Sequence, residues 1–226
     1  MWSDIVNTIN LKNPSKEQIS GLTRWTEEKL KMGIDVEKVY RYAVFSSRKK
    51  NYLGILKDGT VDVKGLTGKK RHIPSIIKTA FNKMKERLAQ VQNPSEFEAA
   101  KKDIAKIVHD RYITIKRRRW EKIEELAFHV ALGEDPDRYT KTTPQHVKAA
   151  RILQKQGVEI KAGDLISFIK VIHEPRVKPV EVTRKNEVDV DKYVAHLKST
   201  FDQVLDALGL SFDEIIGLTK LERFWS

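Results

Sequence analysis

The sequence predicts an α+β fold in which a segment of strand, helix, strand and β-hairpin is followed, from residue 67 on, by a mainly helical region with a few strands. Three observations predict it. Apolar residues recur at helical spacing over four stretches after Pro74. β-Branched and aromatic residues cluster over Val39–Ser47 and again on both sides of Lys57-Asp58-Gly59, a turn signal. Apart from Gly54, Pro and Gly fall between these stretches or at their ends rather than within them.

In chain order, Asp4 to Leu11 roughly alternates apolar and polar residues, which suits a strand, and Asn13-Pro14 breaks it. Ser15 with Gln18 reads as a capping box for a helix running to Gly33, with Ile19, Leu22 and Trp25 facing inward. A strand over Val39–Ser47 follows, then a hairpin of Asn51–Leu56 and Thr60–Val63. Pro74, at a first-turn position, opens a helix whose buried face is Ile76, Ile77, Ala80, Phe81, Met84 and Leu88. Asn93-Pro94 starts another through Phe97, Ala100, Ile104, Ile107, Val108 and Ile115, ending in Lys116-Arg117-Arg118-Arg119, where cations suit both the helix dipole and a phosphate. Leu126 to Leu132 is apolar and fits helix or strand. Thr143-Pro144 caps a helix closed by Gly157, Leu165 to Ile172 reads as a strand, and Asp189 opens a helix with Tyr193, Val194, Leu197, Phe201, Val204, Leu205 and Leu208 before Gly209. A short amphipathic tail ends the chain.

The 226 residues carry 43 Lys and Arg against 31 Asp and Glu, a formal charge of +12, and no cysteine. Mean hydropathy is −0.49, yet 4 Trp, 8 Phe and 6 Tyr provide enough apolar area for a packed core. Disulfides, thiolate metal sites and cysteine nucleophiles are excluded. No apolar run approaches the roughly 18–20 residues that span a bilayer, and the N-terminus lacks a basic and apolar leader, so a soluble, intracellular protein is expected. The charge is segregated: residues 41–119 hold 21 Lys and Arg against 7 Asp and Glu, and the other 147 residues hold 22 against 24. A concentrated basic segment on a neutral frame suits a polyanion, because each neutralised phosphate releases counterion. A lysine-rich solvated surface has the same composition, and charge alone does not separate DNA, RNA and anionic lipid.

Motifs for chemistry are sparse. The 6 histidines are scattered without metal-ligand spacing, and there is no P-loop, dinucleotide fingerprint or nucleophile elbow. Asp189-Val190-Asp191 has the spacing of a metal-binding pair but stands at a predicted helix start, where acidic residues cap. Three constellations suit anions instead. Arg48-Lys49-Lys50-Asn51-Tyr52 stands at the mouth of the hairpin. Lys64 to His72 combines glycines with Lys69, Lys70 and Arg71, so backbone and cations can approach a phosphate together. Thr142 to Lys148 forms a helix N-terminus with unpaired amides. Each also reads as an ordinary turn, linker or cap.

Val39 through Ile73, with Phe45-Ser46-Ser47-Arg48-Lys49-Lys50-Asn51-Tyr52-Leu53-Gly54 and Asp62-Val63-Lys64-Gly65-Leu66, resembles the end of the palm and start of the thumb in archaeal family B DNA polymerases. The resemblance continues through Leu126-Ala127-Phe128-His129-Val130, Thr143-Pro144-Gln145-His146-Val147-Lys148-Ala149-Ala150 and Ser199-Thr200-Phe201-Asp202-Gln203-Val204-Leu205. It implies a partial palm over residues 1–66, a mainly helical thumb over 67–215 and a clamp-binding tail over 216–226. Where the family has its YGDTDS strand, this chain has Ile5-Val6-Asn7-Thr8, with no carboxylate. A chain starting with Met at this point resembles the small subunit of a split family B polymerase, as found in some methanogenic archaea.

The resemblance implies a DNA-directed DNA polymerase subunit, inactive alone, with no catalytic residue or metal ligand of its own; a large subunit would supply the carboxylates that hold Mg2+. Lys49, Lys50 and Tyr52 match the family's KKxY motif at the primer strand, Lys50 in the minor groove and Tyr52 on a primer phosphate. Lys69, Lys70 and Arg71 would lie on duplex backbone, and Thr143, Gln145, His146 and Lys148 would meet the primer–template duplex from the thumb. Leu218, Leu221, Phe224 and Trp225 resemble a box that binds a sliding clamp (PCNA), with Leu218 in place of the usual glutamine; an amphipathic turn packed on the thumb is the other reading. The implied setting is the cytoplasm, at the nucleoid, with no membrane partner. A stand-alone basic DNA-binding or architectural protein with a polymerase-like thumb is the rival class.

Overall fold

The structure is a computed structural model that describes residues 15–34, 37–46, 51–66, 68 and 72–217. The expected strand at 4–11, the Lys49-Lys50 pair, Lys69-Lys70-Arg71 and the tail residues Leu218, Leu221, Phe224 and Trp225 lie outside the described residues. The fold is α+β with two small antiparallel sheets. By the density of its contacts the chain divides into two compact units, Met1–Ala43 with Gly54–Asp62, and Val44–Leu53 with Val63–Ser226.

In the first unit, α1 (Lys16–Leu30) begins as its sequence dictates: Ser15 Oγ accepts from the Gln18 amide, and Gln18 Oε1 accepts from the Ser15 amide at 2.8 Å. The helix stops before the expected Gly33, because Lys31 takes the left-handed conformation at φ 53°. Its inward face also differs from expectation. Thr26 is buried and donates to the Thr23 carbonyl at 2.8 Å, while Ile19, Leu22 and Trp25 are half-buried.

The three-stranded sheet runs in the order β1 (Tyr40–Phe45), β2 (Tyr52–Leu56), β3 (Val61–Lys64). Its turn closes as the Lys57-Asp58-Gly59 signal requires: Gly59 sits at φ 86°, and Asp58 Oδ1 accepts from the Thr60 amide at 2.8 Å. Gly54 is fixed by contact, since a Cβ there would overlap the Tyr40 ring, whose hydroxyl donates to Asp62 at 2.7 Å.

The second unit contains the helical core. Helix α2 (Ser75–Ala89) buries all six residues named from its spacing, with Pro74 standing just outside as N-cap. Helix α3 (Pro94–Lys116) starts where Asn93 Oδ1 accepts from the Glu96 amide at 2.9 Å; Ala100, Ile104, Val108 and Ile115 are buried, whereas Phe97 and Ile107 are half-buried. Helix α5 (Val190–Ala207) packs on both and presents Phe201 edge-on to Phe81, ring centres 6.0 Å apart. Short α6 (Phe212–Ile215) closes this helical core against α3 and α5.

The ambiguous stretch at 126–132 resolves as β4 (Phe128–Ala131), which pairs antiparallel with β5 (Leu165–Lys170), and β5 in turn pairs with β6 (Val177–Pro179), a strand that local sequence signals did not predict. Phe128 stands opposite Phe168 in this ladder, rings stacked at 5.4 Å. Helix α4 (Gln145–Lys155) lies against β5 and β6 through Val147, Ala149 and Ala150. Buried Tyr193 of α5 joins sheet to helices: its hydroxyl donates to the Leu126 carbonyl at 2.8 Å and accepts from the Lys170 amide at 3.1 Å. Burial raises the Tyr193 pKa, so the phenol stays protonated and able to make both bonds.

Candidate nucleic-acid interface

Of the expected DNA-facing residues, Tyr52, Thr143, Gln145, His146 and Lys148 are described. Tyr52 opens β2, half-buried, its ring 6.0 Å from that of Phe45, which is 68% exposed. A phenol held beside an exposed aromatic ring at a strand end is suited to one face of an extended polymer.

The other four cluster at the start of α4. Pro144 is the N-cap and gives no side-chain hydrogen bond, so the first-turn amides are not closed by their own cap, contrary to the expectation from Thr143-Pro144. Gln145 is exposed, and Thr143, His146 and Lys148 are half-buried. Arg151, one turn further on, fixes the approach to the helix: its Nη2 donates to the Pro136 and Tyr139 carbonyls at 2.9 and 3.1 Å, and its Nη1 reaches Thr143 Oγ1 at 3.5 Å. His146 sits edge-on to the Tyr139 ring, and burial pushes its pKa below the ordinary histidine value. Near neutral pH it therefore offers a hydrogen-bonding imidazole, and the charge on this turn comes from Lys148. Helix dipole, open amides and one lysine together make a surface for an anion without reading a base edge.

Gln145 also borders a cavity of about 390 Å3 whose other lining residues are Lys170, Arg176, Asp189 and Lys192. None of those four was singled out from the sequence as an anion-contacting residue. The available signal was Lys170 itself, a cation closing the apolar run Leu165 to Ile169. Conversely, the Lys116–Arg119 run is partly engaged by the fold: Lys116 pairs with Asp191 at 2.9 Å, and Arg118 donates to the Lys185 carbonyl and, at 3.0 Å, to the Val188 carbonyl. Asp189 accepts from the Lys192 amide at 3.2 Å as the cap of α5, so the Asp189-Val190-Asp191 spacing is spent on capping and an ion pair. Among the described residues no three His, Asp or Glu side chains converge on a point that could hold a metal ion.

Residues 9–208 match the model of DNA polymerase family B. The chain belongs to that family. It is 37% identical over 220 residues to DNA polymerase 1 of Saccharolobus solfataricus, a match covering 97% of this chain and 25% of the relative. DNA polymerase 1 of Aeropyrum pernix is 36% identical over 93% of this chain and 22% of its own length. A DNA polymerase of Methanocaldococcus jannaschii is 31% identical over 81% of this chain. This family B chain thus spans about a quarter of the length of the first two of these curated relatives. The fold agrees: the family B DNA polymerase of Pyrobaculum calidifontis superposes with a TM-score of 0.55 at 23% identity, over 92% of this chain and 25% of that one. Among the described residues no helix is long and apolar enough to cross a membrane.

Proposed function

We propose that this chain is the small subunit of a two-chain family B DNA polymerase, in which residues 1–66 complete the palm and 67–215 form the thumb that grips primer–template duplex. The observation that carries the reading is the match of nearly the whole chain to polymerases across a quarter of their length. The start of α4 supports it, because open amides, a neutral imidazole and Lys148 suit phosphate and sugar without reading sequence. An enzyme that translocates over every template needs contacts of that kind. Lys49, Lys50 and Tyr52 then meet the primer strand, and Lys69, Lys70 and Arg71 the duplex backbone. The metal-binding carboxylates belong to the large subunit, and Leu218, Leu221, Phe224 and Trp225 engage a sliding clamp. The protein works at the nucleoid.

Primer extension tests this directly. The chain alone, given magnesium and dNTPs, is expected to extend nothing, and mixing it with a large subunit that contains the catalytic aspartates is expected to restore synthesis. Extension by this chain alone would sink the two-chain reading. Duplex binding that leaves synthesis by the large subunit unchanged would move the protein into the architectural class.

A further inference from the structure

We infer that the cavity bordered by the start of α4, the end of β5 and the start of α5 is a phosphate-binding pocket, in which Gln145, Lys170, Arg176 and Lys192 hold one phosphate group. The inference rests on the thumb reading for one point only, that the phosphate is a phosphodiester of bound duplex.

Three cations and one carboxylate line the cavity, and the carboxylate is engaged, since Asp189 caps α5 through the Lys192 amide. The volume, about 390 Å3, lies within the range of roughly 300–1,000 Å3 usual for ligand pockets. Lys170 reaches it from the end of a core strand. Its Nζ donates to His196 Nε2 at 2.7 Å and stands 5.1 Å from the Phe128 ring centre, so its two neighbours orient the ammonium without neutralising it. Arg176 is steadied from outside, with Nη1 on the Ile172 carbonyl at 2.6 Å and Nε on Glu174 at 3.0 Å. Lys192 has no side-chain partner among the described residues.

The electrostatics point the same way. Burial, followed by the charge of Lys192, lowers the Lys170 pKa against the opposing pull of the Asp189 carboxylate, and burial followed by Lys170 and Lys192 pushes His196 down to about 4. Lys170 and Lys192 are thus held near each other with one carboxylate between three cations, and an anion placed there relieves the remaining repulsion. The positive ends of two helices add to it: Gln145 is the first residue of α4, Asp189 is the N-cap of α5 and Lys192 lies in its first turn.

The test uses the full chain. Inorganic phosphate is titrated at pH 7.5 against chloride of equal ionic strength, while the NMR signals of the His196 ring are followed. A saturable shift is expected in the wild type. In Lys192→Met affinity should fall about tenfold, the worth of one charge-assisted hydrogen bond; in Gln145→Ala it should fall less. Lys155→Met, an exposed lysine at the far end of α4, serves as control and should behave as wild type. Lys192 is itself exposed, and thermal melts confirm that the variants fold. No saturable shift in the wild type, or an equal one in Lys192→Met, overturns the pocket. A second arm measures duplex affinity against salt: Lys192→Met should reduce the slope of log K by about 1. An unchanged slope with phosphate still bound overturns the backbone as the source and leaves free phosphate. If the wild type binds no duplex, the thumb reading fails, and the phosphate titration still decides the pocket.

Discussion

The helical core and the small sheet with α4 differ in how they treat part of their cations. Among the helices, several cations are matched: Arg87 to Asp103 at 2.7 Å, Lys116 to Asp191 at 2.9 Å, Lys198 to Asp213 at 2.6 Å, and Arg118 to two carbonyls. At the sheet, Lys178 pairs with Glu187 and Arg176 with Glu174, but Lys170 meets a neutral histidine and a phenyl ring, and Lys148 and Lys192 have no ion-pair partner among the described residues. The residues after 119 have the less basic composition, yet they contribute the cations that line the cavity. A lysine's capacity to bind an external anion is decided by what the fold places beside it, and sequence charge counts only the total.

Four measurements break or sharpen that contrast. Phe201→Ala, which leaves a void against Phe81 in the helical core, is expected to cost about 4 kcal/mol in denaturant unfolding. A loss below about 1 kcal/mol would mean that the helical core is not the main source of stability. Arg118→Ala removes the donors to Lys185 and Val188 and should destabilise by about 2 kcal/mol, with little change in duplex affinity beyond its own charge. If affinity falls while stability holds, the arginine faces DNA and the contrast is wrong.

Lys148→Ala should do the reverse, leaving the melting temperature within a degree or two of wild type while lowering the salt slope of duplex binding by about 1. The smallest effect concerns His196. Its folded pKa, about 4, lies below the unfolded value near 6.5, so the unfolded chain binds more protons between those values. The stability contributed by the neutral ring is complete above about pH 6.5 and is lost as pH falls toward 4. His196→Gln keeps an acceptor for Lys170 and should flatten the decline of melting temperature across that window; an unchanged decline would place the acid sensitivity elsewhere.

Much of the fold was legible because local rules and tertiary packing agree. The Ser15–Gln18 capping box, the Asp58-Gly59 turn, the Asn93 cap and the six-residue buried face of α2 all follow from spacing and side-chain chemistry. Legibility failed where the deciding partner is distant in sequence. Strand β6 is three residues long and contains Pro179, so it exists only because β5 offers an edge. The Leu126–Leu132 stretch became a strand because Phe128 found Phe168, 40 positions away. The α4 start was visible as a helix N-terminus, whereas Arg151, which secures it, and Lys170, Arg176 and Lys192, which line the cavity beside it, were not.

The sequence by itself determined the α+β class, most helix starts and the polymerase family, since all three are carried by local patterns or by residue order along the chain. Only the tertiary structure decided which cations are spent on carboxylates and carbonyls and which remain around a space of their own. The reason is the short reach of these interactions. Hydrogen bonds and ion pairs act within a few ångströms, and a distance of that size between residues 40 or 70 positions apart exists only once the chain has folded.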